Sequence, residues 1–233
     1  MNARISRKSF VLLAVVLVAV LITAGTVLAG EQSERPVFWS WDIGNPGATP
    51  IGASKLVRTE NGLSANLKAD GLTPGNAVTL WFVVFNYPGL CSDGMCGPDD
   101  MGLGKPAQGD FLYGGGHVVG SSAGNFGGHL KVGDTSRSGL AERLVQRGVC
   151  EEGQECPTPG LINPQGALVI LALHDHGPAL TGQALKDQIS TFLGDCQTGD
   201  IGNAEGFATG PDDLPIPAGG YCSTIIRSPH MPQ

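Results

Sequence analysis

Two runs of residues restrict the possible folds of this chain more than any other feature. LWFVVF (Leu80–Phe85) and LVILAL (Leu168–Leu173) are apolar at every position. A strand sends alternate side chains to opposite faces, so a run that is apolar on both parities must be covered on both. Both runs are too short to cross a membrane and are bounded by turn-forming residues. They predict central strands of a sheet packed against a second layer.

The remaining sequence agrees. The 36 glycines and 16 prolines fall between short apolar runs rather than in one tract, which is the punctuation of an all-β domain with long loops. The expected strands are Pro36–Trp41, Lys55–Thr59, Leu63–Ala69, Ala77–Asn86, Phe111–Gly120, Phe126–Gly133, Ala167–His174 and Tyr221–Ile226. LSANLKA alternates, with Leu63, Ala65 and Leu67 on one side and Ser64, Asn66 and Lys68 on the other, so one face is buried and one wet. ADGLTPGN reads as a turn around Pro74-Gly75. Helical periodicity occurs twice, in SGLAERLVQRG (Leu140, Ala141, Leu144, Val145) and in ALKDQISTFLG (Leu185, Ile189, Phe192, Leu193). Gly148 and Gly194 close these segments. The expected fold is mostly β: an antiparallel, Greek-key-like β-sandwich with one or two short helices inserted in its loops.

The first residues have a separate purpose. Arg4, Arg7 and Lys8 form a basic segment, FVLLAVVLVAVLITA an apolar one, and Val27-Leu28-Ala29 a small-residue cleavage site. Residues 1–29 read as a secretory signal peptide and 30–233 as a single disulfide-stabilised domain; an uncleaved segment would act as an N-terminal membrane anchor. The expected location is extracellular or periplasmic, with no membrane insertion once the signal is removed. Six cysteines fit an oxidising compartment. Proximity favours Cys91–Cys96 and Cys150–Cys156, leaving Cys196–Cys222. Their spacings lack the C-x-x-C of zinc–thiolate sites. Three of the 14 basic residues and none of the 21 acidic ones lie in the signal, so the exported part carries a net −10. So acidic a chain is a poor match for nucleic-acid phosphates or anionic membranes.

Several groups of residues could carry chemistry. His174 and His176 lie at i and i+2 of a strand and should project together, with Asp175 on the opposite face. If the strands bearing His117 and His129 were neighbours, three or four imidazoles would converge, a set suited to copper or zinc. Without a third ligand the pair is a polar rim. GSSAG (Gly120–Gly124) matches G-x-S-x-G with Ser122 as nucleophile and Asp175 and His176 later in the chain, in the right order. The adjoining NFGGHLKV reads as a strand where a nucleophile elbow needs a helix, so a hairpin turn is expected. Asp93, Asp99 and Asp100 in one loop, and Asp195, Asp200, Asn203 and Glu205 in another, are calcium candidates outside the EF-hand pattern. Trp39 and Trp41 would share one strand face. Exposed, they would form a sugar platform; buried, they would be core, which is the expectation.

GLTPGNAVTLWFVVFN, GGGHVVG, GGHLKVGD and HGPAL resemble segments of exported bacterial β-sandwich proteins without an assigned activity. They are also distantly similar to CHRD-type (chordin-like) secreted modules, over Leu56 to Cys196. GGHLKVGD is similar to a metal-loop segment of copper–zinc superoxide dismutases as well. There an H-x-H pair precedes the segment; here His174-Asp175-His176 comes after it. Only His129 and Asp134 would correspond, so dismutase activity is not implied. The expected role is a non-enzymatic binding or structural module of the envelope or extracellular space, contacting an unidentified ligand or envelope component. The alternative is a copper- or zinc-binding sandwich using the histidines.

Overall fold

The structure is a computed structural model that describes residues 30–146, 148–151, 156–192 and 223–232. Of its two compact units, Met1–Glu31 and Gln32–Gln233, the second carries the sheet, save for Glu31 at its start. Eight antiparallel strands form one nearly closed sheet: β1 (Glu31–Trp39), β2 (Gly52–Thr59), β3 (Gly62–Asp70), β4 (Asn76–Phe85), β5 (Gly109–Val118), β6 (Ala123–Lys131), β7 (Leu168–Pro178) and β8 (Ser223–His230). Their order is β5-β4-β7-β8-β1-β2-β3-β6. The described residues also form two helices, α1 (Gly139–Gln146) and α2 (Gly182–Gln188). The mostly-β expectation with short helical inserts holds.

β4 shows why the apolar runs were decisive. All of its residues are buried. Val78, Leu80, Phe82 and Val84 point inward and meet Leu56, Leu63 and Leu67 from β2 and β3, and Phe126 and Leu130 from β6. Trp81, Val83 and Phe85 point the other way, into a second apolar cluster with Phe111, Ala172 and Phe192. α1 covers part of that outer cluster through Leu140. One strand thus supplies two cores, and β7 does the same with Leu171 and Leu173 inward and Ala172 outward.

The sheet's two edges, β5 and β6, meet through glycine. Gly114 is the extra residue of a bulge, because Leu80 pairs with Gly115 and Trp81 with Tyr113. A Cβ on Gly128 would lie 2.7 Å from the Phe82 ring and 2.8 Å from the Gly114 Cα. Any side chain there would push the seam open.

Boundaries moved where local signals conflicted. β8 continues four residues beyond the expected Ile226, through Pro229. β7 runs on through His174, Asp175 and His176 to Pro178. GSSAG is a turn as expected, but not of a hairpin: β5 pairs with β4 and β6 with β3, so the turn joins the two edges of the sheet. Cys91–Cys96 and Cys150–Cys156 are disulfides. Cys196, Cys222 and the Asp195–Glu205 loop lie outside the described residues. No helix among the described residues is long and apolar enough to cross a membrane.

Candidate functional site

β7 brings His174 and His176 together as the i, i+2 spacing requires. Their ring centroids are 4.8 Å apart, at 67°. The pair lies in the outer cluster, not on a rim: both side chains are buried, and the Phe192 ring packs 4.7 Å from that of His174. Phe192 is held in turn, its backbone N–H donating to Glu142 of α1 at 2.8 Å. Gln188 pins the strand end, donating to the carbonyls of His176 and Pro178.

Hydrogen bonds hold one ring of the pair closely. The Trp81 indole, which can only donate, bonds the Thr79 hydroxyl at 2.7 Å. The same hydroxyl shares a hydrogen bond with Nε2 of His176, 2.8 Å away. The hydrogen bond of His174 is longer. Its Nδ1 lies 3.5 Å from the Thr224 hydroxyl, the outer limit of a hydrogen bond, and its buried Nε2 has no hydrogen-bond partner among the described residues. Burial holds the His174 pKa well below 6.5, and the neighbouring His176 and Arg143 push in the same direction. It is neutral at physiological pH.

Asp175 points away from the pair. It accepts both hydrogen bonds of the Asn76 carboxamide, at 3.0 and 2.9 Å, and the Gly177 N–H at 2.8 Å. Burial raises its pKa despite those donors. His117 and His129 are exposed on other strands. His117 stacks on Phe126 at 4.4 Å, and His129 pairs with the Ser64 hydroxyl at 2.9 Å. The structure therefore brings together two of the four predicted imidazoles. No group of three or more His, Cys, Asp or Glu able to hold a metal occurs among the described residues.

Ser122 is exposed in the turn between β5 and β6, its carbonyl accepting the Leu72 N–H. Just beyond the loop closed by Cys91–Cys96, Asp100 accepts the N–H groups of Ser92 and Gly97, both at 2.9 Å. Burial opposes ionisation of Asp100, but these bonds prevail and its pKa is lowered. Asp93 and Asp99 are exposed beside it. The carboxylate most suited to an ion thus already serves backbone amides.

Sequence reasoning missed His230. It is fully buried, with Nδ1 2.7 Å from the Ser33 hydroxyl and Nε2 2.8 Å from that of Ser54. Ser54 also meets Ser228 at 2.7 Å, and Ser228 donates to the Pro36 carbonyl at 2.8 Å. A carbonyl only accepts, so Ser228 spends its proton there, and Ser54 donates to Ser228 at 2.7 Å in preference to the Arg35 carbonyl, which lies 3.4 Å away. Ser54 then accepts from Nε2–H of His230, whose Nδ1 accepts from Ser33. The relay runs one way, from Ser33 to Pro36. Beneath it the buried Arg58 guanidinium donates to four carbonyls, those of Pro164, Ala167, His230 and Met231. Burial, then Arg58 and Arg35, lower the His230 pKa to about 4. The alternation of Ser228 and His230 was the available signal, concealed by the proline between them.

The tryptophans form the most exposed aromatic feature among the described residues. Trp39 and Trp41 stack at 4.9 Å and 5° between planes. They are not on one strand face: β1 ends at Trp39, and Trp41 lies in a 3₁₀ turn, Ser40–Asp42, that folds it back over its neighbour. Trp39 packs on the inner core and over Gly71, where a Cβ would come within 2.8 Å of the indole and where φ is +83°. Glycine is required there twice over. Trp41 is left 51% exposed, so the expectation of two core indoles holds for neither ring completely. Asp70, next to Gly71, lines an open groove of about 340 Å³ with Lys68 and Asn125 above a floor of small residues.

No family model matches the sequence, and comparison with curated proteins finds no match. The resemblance to CHRD-type modules rests on glycine and apolar motifs alone.

Proposed function

We propose that this chain is an exported, non-enzymatic binding module whose contact surface is the end of the barrel bearing Trp39 and Trp41. The observation that carries this reading is the stack itself, with the outer indole 51% exposed. An indole face presents a flat apolar surface to the C–H face of a sugar ring. Trp39 holds Trp41 in place before a ligand arrives, which reduces the ordering cost of binding. The groove that begins at Asp70, the residue before the Gly71 that Trp39 covers, offers an ammonium, a carboxylate and a carboxamide, groups that hydrogen-bond hydroxyls. Two disulfides fit work outside the cytoplasm. The test is retention of the purified chain on insoluble polysaccharides (cellulose, chitin and peptidoglycan). Retention on at least one is expected, with Trp41→Ala weakening it about tenfold, the equivalent of about 1.4 kcal/mol. No retention on any, or retention indifferent to Trp41, would remove the basis of the proposal.

A second reading, copper or zinc held by His174 and His176, is supported by the buried Nε2 of His174, which lacks a hydrogen-bond partner among the described residues and lies beside a second imidazole. Two neutral rings would be part of a ligand set. Metal analysis after loading with each ion decides it: near-stoichiometric metal, lost in His174→Ala, supports this reading, and a metal-free protein ends it.

A further inference from the structure

The outward positions of β2, β3 and β6 form an open polar face whose composition opposes that of the whole chain. Register sets the rows: Lys55 lies beside Asn66, Ala53 beside Lys68, and Lys68 beside Asn125. Lys55, Asn66, Lys68 and Asn125 are exposed or partly so. Lys55 and Lys68 are therefore diagonal neighbours across one ladder, about 7–8 Å apart at Cα and within reach of each other's ammonium groups. Two like charges so placed repel, and an anion between them removes that repulsion. Acidic residues stand at the ends of this face, Asp70 at one and Glu60 in the turn at the other, rather than between the lysines. In a chain with 14 basic and 21 acidic residues, this pairing runs against the overall bias.

The face leads to the tryptophans. Lys68 and Asp70 line the groove, and Gly71 lies under Trp39. We infer that the ligand is a carboxylate-bearing polysaccharide, such as a polyuronate. One sugar would stack on Trp41, and carboxylates further along the strand would lie between Lys55 and Lys68. Asn66 and Asn125 would take hydroxyls. The protein's net negative charge does not prevent this, because at physiological salt repulsion beyond about 8 Å is screened while contacts at the face are not. This inference rests on the reading of the tryptophan end as a glycan contact.

The test compares the full chain on polygalacturonate and on dextran by affinity electrophoresis, with the insoluble polysaccharides in parallel. Polygalacturonate should bind about tenfold more tightly than dextran, and more weakly as salt rises from about 50 mM to about 0.5 M. Lys55→Glu with Lys68→Glu should remove that preference without changing the unfolding midpoint by more than about 2 °C, both side chains being exposed. Trp41→Ala should weaken every polysaccharide that binds. Equal binding to acidic and neutral polymers, or a preference that survives the lysine reversal, overturns this inference and leaves the binding-module reading intact. Failure to bind polygalacturonate, dextran or any insoluble polysaccharide overturns both.

Discussion

His230 and His174 are the same residue type, both buried and both neutral at physiological pH, yet they are held in opposite ways. Both ring nitrogens of His230 are within 2.8 Å of serine hydroxyls, in a relay whose direction is fixed by the Pro36 carbonyl. His174 has one hydrogen bond, at 3.5 Å, and one nitrogen with no hydrogen-bond partner among the described residues. The first site ties β1, β2 and β8 together inside the barrel. The second lies outside it, beneath Phe192 and against His176. A buried polar group costs free energy unless it is hydrogen-bonded. His230 is therefore part of what specifies the fold, whereas His174 is tolerated by it.

The largest separation between the two sites should come from deletion. His230→Ala removes a ring from a filled interior, takes away the side-chain partner of Ser33 and leaves Ser54 with Ser228 alone among its short hydrogen bonds, so a loss of about 3–4 kcal/mol is expected in urea unfolding. A loss below about 1 kcal/mol would show that the relay does not hold the strands. Acid gives the next effect. The unfolded state takes up protons on histidine near pH 6.5, and the folded state takes one at His230 only near pH 4. Between these values the unfolded chain binds more protons, so stability falls as pH drops through that window. For His230 the whole shift amounts to about 3 kcal/mol. Asp110 and Asp175, whose pKa values burial raises, act with the opposite sign at the acid end. The difference between wild type and His230→Gln isolates the histidine: the variant should lose less stability between about pH 7 and pH 4. Parallel curves would remove His230 as the source of the slope.

How much of this contrast was legible in the sequence depends on whether the physics behind each part acts locally. The double-sided burial of β4 and β7 could be read from Leu80–Phe85 and Leu168–Leu173, because alternation is a property of a single strand. His174 and His176 could be placed on one face for the same reason. The cover above them could not be read, because Phe192 arrives from beyond α2 and is held by Glu142 of α1. His230 was missed because its partners, Ser33 and Ser54, are 197 and 176 residues away. Pro229 also breaks the strand signal just before it. The tryptophan stack was half legible: the spacing brought the rings together, but a turn rather than a strand made them parallel and left Trp41 in solvent.

The smallest effect is the sharpest test of the comparison. His174→Phe replaces a buried ring having one unbonded nitrogen by an apolar ring of similar shape against Phe192, which itself packs on Trp81 and Phe111. Three contributions nearly cancel. The variant no longer buries a polar nitrogen without a partner, it loses the 3.5 Å contact to Thr224, and it adds slight crowding against His176. At about pH 7.5 the unfolding free energy should stay within about 1 kcal/mol of wild type. Lowering the pH breaks the balance. Burial keeps wild-type His174 deprotonated in the folded state while the unfolded state takes a proton below about pH 6.5. Phenylalanine cannot titrate, so the variant should become the more stable protein as pH falls toward 5. A loss above about 2 kcal/mol at neutral pH would mean instead that the imidazole itself is needed there, and would favour the metal-binding reading over the contrast drawn with His230.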